Sequence, residues 1–431
     1  MSYMLDMKFV RENPDLVREN LKRRGDLDKI PWVDQVLESD RRWRSLQTEV
    51  NNLRGKRNKL TEEIGKLRRQ GADASELVKQ AEQVPEQIRT LETETQDLNQ
   101  KITEILMLLP NVIHESVPFG KDDSGNVEVR KWSEPRQFDF EPKDHIDLAA
   151  NLGLVDLERA AKVAGARFYY LRGDLVKLNY ALVKFALDFM EKKGFKLTQP
   201  PYFLRREAIG GAVALSDFED VIYKIEGEDL YLIPTAEHGL LAQHMDEIIN
   251  GKSLPLRYAG ISPCFRKEAG AHGRDTKGIF RIHQFEKVEQ FVFSKPENSW
   301  DEHEKLIANA EELFQLLKLP YRVVNVCTGD LGTVAAKKYD LEAWFPGQKN
   351  YREVVSCSNC TTYQATRSNI RYRDKPDEPS KWVHTLNSTL VATERTLIPI
   401  MENYQNKDGS ITIPEVLRPY MGDATTLRSA A

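Results

Sequence analysis

The sequence predicts an α+β protein: an N-terminal antiparallel two-helix coiled coil, then a domain built on a mixed, mainly antiparallel sheet flanked by helices. Two observations carry this. Residues 43–67 and 77–109 place apolar side chains at alternating three- and four-residue steps, the signature of a coiled-coil seam. Beyond residue 195, short β-branched and aromatic runs such as VIYKI, LYLI and FEKVEQFVF adjoin turn residues rather than regular crossover helices. That pattern favours antiparallel pairing over a doubly wound sheet.

The seam of the first segment is Trp43, Leu46, Val50, Leu53, Leu60, Ile64 and Leu67, interrupted by Arg57. The returning seam is Leu77, Ala81, Val84, Ile88, Leu91, Thr95, Leu98, Ile102, Ile105 and Leu109. Gly71 lies between them and can end a helix, so two antiparallel helices of roughly 40–50 Å are expected. Pro85, inside the second, should kink or divide it. Charge is segregated along this hairpin. The outgoing helix carries Arg41, Arg42, Arg44, Arg54, Lys56, Arg57, Lys59, Lys66, Arg68 and Arg69, and the returning helix is acidic. Opposite charges attract the partners, and a basic stripe suits a phosphate backbone. A solvated coiled-coil face explains the same residues, so the arm alone does not decide between RNA binding and scaffolding.

Pro110, Pro118, Gly120, Gly125, Pro135 and Pro142 punctuate the polar stretch that follows. Residues 1–112 are therefore expected as one domain, 113–150 as a linker and 151–431 as a second domain.

Composition sets the class. The chain has 431 residues, 40% hydrophobic and 30% charged, with a formal net charge of -4. Such a chain can bury a large core, and any nucleic-acid site must be a local basic patch. The four cysteines, Cys264, Cys327, Cys357 and Cys360, make no disulfide framework, and the CxxC formed by the last two lacks a second ligand pair for zinc. Structural thiols in a reducing compartment are expected. The N-terminus has no apolar signal region and no run of about 18 apolar residues occurs, so a cytoplasmic location without a membrane span is expected.

In the second domain, Leu175, Leu178, Leu182, Phe185, Ala186 and Phe189 share one helical face, with Gly194 at the capping position. Neither a P-loop nor a GxGxxG is present. ATP, if used, must be held by side chains on a sheet.

The most informative segment is FRKEAGAHGRDTKGIFRIHQFEKVEQFVF, residues 265–293. Two strands joined by a loop would bring Arg266 and Arg281 together. Guanidinium groups suit phosphate because their planar fork makes bidentate, charge-assisted bonds, and phosphoryl transfer needs preorganised positive charge. Read alone, the segment serves equally well as a salt-bridged hairpin.

This segment resembles motif 2 of class II aminoacyl-tRNA synthetases, most closely that of the seryl-tRNA synthetase family. PTAEHGL at 234–240 is similar to that family's amino-acid-binding TxE element. YREVVSCSN at 351–359 and HTLNSTLVATERTLIPIMENYQ at 384–405 resemble its ATP-binding and motif 3 segments. The basic hairpin resembles its tRNA-binding arm. The likeness spans essentially the whole chain.

The resemblance implies an ATP-dependent ligase that activates L-serine as seryl-adenylate and transfers it to the 3' end of tRNA(Ser), with tRNA(Sec) a further candidate acceptor. Arg266, Glu268 and Arg395 would be the catalytic set. Arg266 would hold the α-phosphate and the serine carboxylate, and Glu268 the adenine amino group. Phe285 and Arg395 would sandwich the adenine, with Arg395 also reaching the γ-phosphate and the backbone near Ile282 reading the base. Lys267, Arg281, Val354 and Val355 complete the implied ATP contacts. Glu353 and Ser356 would line the phosphates and hold Mg²⁺. Thr235 and Glu237 would meet the serine α-amino group, Ala236 would line the serine site, and Glu289 and Thr389 would hold the serine hydroxyl. A homodimer built through GFKLTQPPYF, the motif 1 counterpart, is implied as well.

Other residues have plainer expected roles. His272, His283 and His384 adjoin the motifs without an obvious base to supply; Trp132 and Trp382 suit packing, and Asn387 a turn or a supporting position. Two departures stand out: NSTLVATE before Arg395 lacks the glycines of the wider class, and AIGGAVALSDF after Glu207 differs from a Gly-Thr-Gly-Gln-type loop. Two rivals remain: a paralogue that loads a carrier protein, and a non-catalytic RNA-binding protein. The basic arm argues against the first, and the joint presence of Arg266, Glu268, Glu289, Glu353 and Arg395 against the second.

Overall fold

A computed structural model of the chain describes residues 6–213, 221–268 and 278–429. They divide into two compact units, Leu5–Pro110 and the chain from Asn111 onward.

The first unit opens with α1 (Met7–Glu12) and α2 (Pro14–Arg24), followed by the long helices α3 (Ile30–Arg69) and α4 (Ser75–Leu108). At 1.5 Å per residue, α3 is roughly 60 Å long, longer than its seam suggested. The extension is N-terminal, where Val33 and Val36 bury with Phe9, Val17 and Leu21 inside the same unit. The coiled-coil seam packs as expected: Val50, Leu60, Val84 and Ile88 are buried, with Leu53, Leu77, Ala81 and Leu91 against them. Gly71 takes the left-handed backbone (φ +70°) that turns the chain between the helices. Pro85 does not divide α4, which runs through it.

The second unit is centred on an eight-stranded sheet. Its strands are β1 (Val127–Trp132), β2 (Lys196–Thr198), β3 (Leu256–Phe265), β4 (Gln284–Ser294), β5 (Tyr321–Asn325), β6 (Lys337–Phe345), β7 (Asn350–Thr361) and β8 (His384–Ala392). Their order is β1-β5-β6-β7-β8-β4-β3-β2, and every neighbouring pair is antiparallel except β2 with β3. The stretch expected as a linker is structured: it supplies the edge strand β1 and the start of α5 (His145–Asn151). Its prolines and glycines sit in the connections, while VEVRKW pairs with β5.

Strand alternation explains how one sheet serves both core and site. Val288 and Val292 of β4, Val355 and Cys357 of β7, and Leu386 and Leu390 of β8 face the main core. The helices α6 (Asp174–Lys192), α8 (Ser299–Leu316) and α9 (Thr393–Asn403) pack there through Leu178, Phe185, Leu313, Phe314, Leu397 and Ile398. The residues that alternate with that face, such as Lys287, Glu289, Asn387 and Thr389, point the opposite way. Gly194 (φ +79°) ends α6 and delivers the chain to β2.

Candidate active site

The intervening residues of three adjacent strands make the floor of a cavity of about 350 Å³. Phe285, Lys287 and Glu289 come from β4, Asn387 and Thr389 from β8, and Ser356, Ser358 and Cys360 from β7. Arg266, just past β3, and Arg395, near the start of α9, close it from the sides. Glu353 reaches the same face only because β7 carries a bulge. Leu341 pairs with Val355 and Glu342 with Glu353, leaving Val354 as the extra residue. In a regular strand, a spacing of three from Ser356 would turn Glu353 to the other side.

At one end of the cavity, α7 (Ala236–Ala242) begins with Thr235, whose hydroxyl accepts from the Glu237 amide at 3.3 Å. Glu237 Oε1 accepts from Gln364 Nε2 at 2.6 Å and from Asn387 Nδ2 at 3.0 Å. Burial, reinforced by Glu289, pushes the Glu237 carboxyl up to about 7, against the opposing pull of Lys287, Gln364 and Arg266. Across the floor, Glu289 and Thr389 stand opposite each other on β4 and β8, and the threonine hydroxyl donates to the carboxylate at 3.4 Å. Lys287 Nζ lies 2.5 Å from the same carboxylate, and both partners are buried.

In the middle, Arg266 Nε donates to the Pro234 carbonyl at 3.1 Å, and its guanidinium lies 5.3 Å from the centre of the Phe285 ring. His283 supports it from behind, with Nδ1 2.8 Å from the Arg266 carbonyl and 2.9 Å from the Tyr223 hydroxyl. Glu268 has a left-handed backbone (φ +48°), with its carbonyl accepting from Arg167 at 2.8 Å and its carboxylate 3.5 Å from Arg281.

At the far end, Arg395 lies 3.8 Å from Glu353, donates to the Phe280 carbonyl at 3.4 Å and stands over the Phe280 ring. Burial opposes ionisation of Glu353, but Arg395, Lys338, Arg266 and Arg281 together hold its pKa below the usual carboxylate value. A second cavity of about 640 Å³ adjoins the first through Glu353 and Arg395 and is lined by Arg281, Arg322, Arg352, Asp340 and Glu342. There, burial and then Glu353 push the Asp340 carboxyl up to about 7, with Lys338 opposing.

The structure thus gathers Glu237, Arg266, Phe285, Glu289, Glu353, Val354, Ser356, Thr389 and Arg395 around one cavity, with Arg281 in its neighbour. Thr235 caps α7, and Ala236 packs beneath the site against Gly260. Lys267 donates its amide to the Val221 carbonyl. Ile282 is buried, and Val355 faces the core rather than the cavity. Asn387 is not in a turn but mid-strand, donating to Glu237 and to the Cys360 sulfur. His384 is a buried partner of Ser299, Trp132 stacks on Tyr321 and Trp382 lies under Arg371. His272 and residues 214–218 of the loop after Glu207 lie outside the described residues.

Sequence reasoning missed Lys287, Gln364 and His238. Lys287 was within reach: a period of two from Phe285 to Glu289 puts it on their face. Gln364 follows the strand and only the fold brings it to Glu237.

Residues 4–113 match the seryl-tRNA synthetase N-terminal domain, and residues 221–404 match the class II tRNA synthetase core domain of the G, H, P, S and T type. The serine–tRNA ligase of Methanocella arvoryzae is 57% identical over 97% of this chain and 99% of its own length. The chain belongs to the seryl-tRNA synthetase family. Membership makes it an ATP-dependent aminoacyl-tRNA ligase of the serine-specific type. The synthetase superimposes on the seryl-tRNA synthetase of Pyrococcus horikoshii, crystallised with ATP, with a TM-score of 0.94 at 53% identity, covering 99% of this chain and all of that one. The cytoplasmic serine–tRNA ligase of Naegleria fowleri, crystallised with AMP, gives 0.89 at 37% identity over the whole of both chains. No helix among the described residues is long and apolar enough to cross a membrane.

Proposed function

We propose that this cavity adenylates L-serine with ATP and passes the seryl group to tRNA(Ser). The supporting observation is the order of groups along it. Arg266 acts electrostatically both on Glu237, which neighbours Glu289, and on the Arg395–Glu353 pair, so it lies between the two groups. An amino acid and a nucleotide laid end to end would meet at Arg266.

In this reading Thr235 and Glu237 receive the serine ammonium, and Glu289 and Thr389 its hydroxyl. Arg266 draws the carboxylate and the α-phosphate together. A carboxylate oxygen attacks the α-phosphorus in line and pyrophosphate leaves. A terminal ribose hydroxyl of tRNA then attacks the acyl carbon, and AMP leaves. A carboxylate nucleophile needs no base, so the first step relies on positioning and on cations placed where negative charge develops. Phe285 and Arg395 flank the adenine, which Glu268, Lys267 and the backbone near Ile282 help to hold, with Arg281 on the phosphate side.

Mg²⁺ fits the far end. Glu353 and Ser356 present hard oxygen donors on one face, and among the described residues the buried Asp340 Oδ1 beside them has no hydrogen-bond partner. Two protein oxygens, completed by phosphate and water, suit this ion. Bound there, it would neutralise phosphate charge. The arm of α3 and α4 grips the tRNA: Arg42 and Arg54 are engaged with Glu94 and Glu92, but Lys56, Arg57, Lys59 and Lys66 are exposed. The synthetase works as a homodimer in the cytoplasm, and tRNA(Sec) is a second acceptor to test.

The deciding experiment is serine-dependent ATP–pyrophosphate exchange, with threonine, alanine and cysteine in parallel, followed by charging of total tRNA. Exchange with serine and transfer to tRNA are expected. Exchange without transfer would point to another acyl acceptor, and no exchange would overturn the proposal.

A further inference from the structure

His238 is a loose end in the cavity. It follows Glu237 on α7, lines the same space and is 2% exposed. Among the described residues its buried Nδ1 has no hydrogen-bond partner and no hydrogen bond reaches its Nε2. A buried imidazole that leaves its polar atoms unused forfeits their hydration with no return. Such a group beside a substrate cavity is explained if the substrate completes it.

The substrate has a matching need. A primary ammonium carries three donors, and Thr235 and Glu237 answer two of them. The neighbouring amide N–H groups and the Glu289 carboxylate already have protein partners. Gln364 and Asn387 direct their amide N–H groups at Glu237 Oε1, and Glu289 is held by Lys287 and Thr389. We infer that His238 is the third receptor for the serine α-ammonium, with a ring nitrogen accepting its remaining N–H. Burial, then Arg266 and Lys287, lower the imidazole pKa to about 3. At neutral pH the ring therefore presents a lone pair and does not compete as a cation for Glu237. This inference rests on the serine-adenylating reading of the cavity.

The test compares two non-hydrolysable seryl-adenylate analogues, one with the α-amino group and one without it, by calorimetric titration of the full-length protein. His238→Phe keeps a planar ring but removes the acceptor. The preference for the amino-bearing analogue should fall by about tenfold relative to the unsubstituted protein. An unchanged preference overturns the inference. Should the variant fold poorly, a crystal structure of the unsubstituted protein with the amino-bearing analogue decides. A ring nitrogen at about 3 Å from the α-nitrogen is expected, and a ring whose nitrogens both bond elsewhere overturns it. Serine-dependent exchange by the unsubstituted protein separates the two readings. If exchange is absent, the adenylation reading fails. If exchange is present but the preference is unchanged, only the role of His238 fails.

Discussion

Lys287 and Glu289 form a buried ion pair one strand-repeat apart on β4, with Nζ 2.5 Å from the carboxylate and both side chains at most 6% exposed. The pair sits in the floor beneath the serine end of the cavity. Removing one member leaves the other charged, buried and without its ionic partner, a typical loss of about 3–5 kcal/mol. Lys287→Met should therefore lower the thermal midpoint sharply in calorimetry, and Lys287→Met with Glu289→Leu should recover much of it. A single variant as stable as the parent would show that the pair is not a structural unit.

Thr389 donates to the same carboxylate. Thr389→Val keeps the volume and removes the hydroxyl, leaving Glu289 short of a donor and the serine hydroxyl short of a partner. The KM for serine in pyrophosphate exchange should rise roughly tenfold, while activity with alanine should change little. Equal losses with both amino acids would place Thr389 outside the hydroxyl subsite.

Glu237 gives the site a pH dependence of stated sign. Its folded-state pKa, about 7, lies above the ordinary carboxyl value of 4.5. Its contribution to stability is therefore fully present below about 4.5 and is lost as pH rises through about 7. Serine binding runs the other way, because the ammonium needs the ionised carboxylate. The KM for serine should fall as pH rises through about 7, and Glu237→Gln should flatten that limb. Calorimetry near pH 7 in buffers of different ionisation enthalpy should show a proton leaving the enzyme as serine binds. A profile that is flat from pH 6 to 8 would count against it.

The coiled coil was legible because a heptad seam is a local pattern, and the gathering of Phe285, Glu289 and Thr389 at one cavity because they sit in recognisable motifs. The β7 bulge was not: nothing in YREVVSCSN says that Val354 is the extra residue, yet without it the spacing from Glu353 to Ser356 would put the two on opposite faces. Gln364 was invisible because its contact with Glu237 spans 127 positions. The β1 segment was read as a linker because an edge strand of alternating charge and valine carries little apolar signal.

Arg395 joins the two cavities, facing Glu353 and bonded to the Phe280 carbonyl. Its fork would lie along the polyphosphate, where charge shifts as pyrophosphate leaves. Arg395→Ala should slow exchange by roughly 10²–10³, the usual cost of removing one preorganised donor. Arg395→Lys should recover little, since a point charge cannot both stack on the base and reach a phosphate. Near-normal exchange in the alanine variant would remove Arg395 from the proposed chemistry.

The arm can be separated from the adenylation chemistry by experiment. Its seam, from Val50 and Leu60 to Val84 and Ile88, buries against itself, and among the described residues none that lines the cavity belongs to it. Deleting residues 36–109 should leave serine-dependent exchange near normal and cripple tRNA charging. A gentler variant reverses Lys56, Lys59 and Lys66 to glutamate, changing the exposed face without touching the seam. Its KM for tRNA should rise by at least tenfold, with a weaker dependence on salt than the parent, because fewer counterions are released from the phosphate backbone. Undiminished charging by both variants would mean that the tRNA is gripped elsewhere. Loss of exchange in the deletion variant would show that the catalytic unit needs the arm to fold.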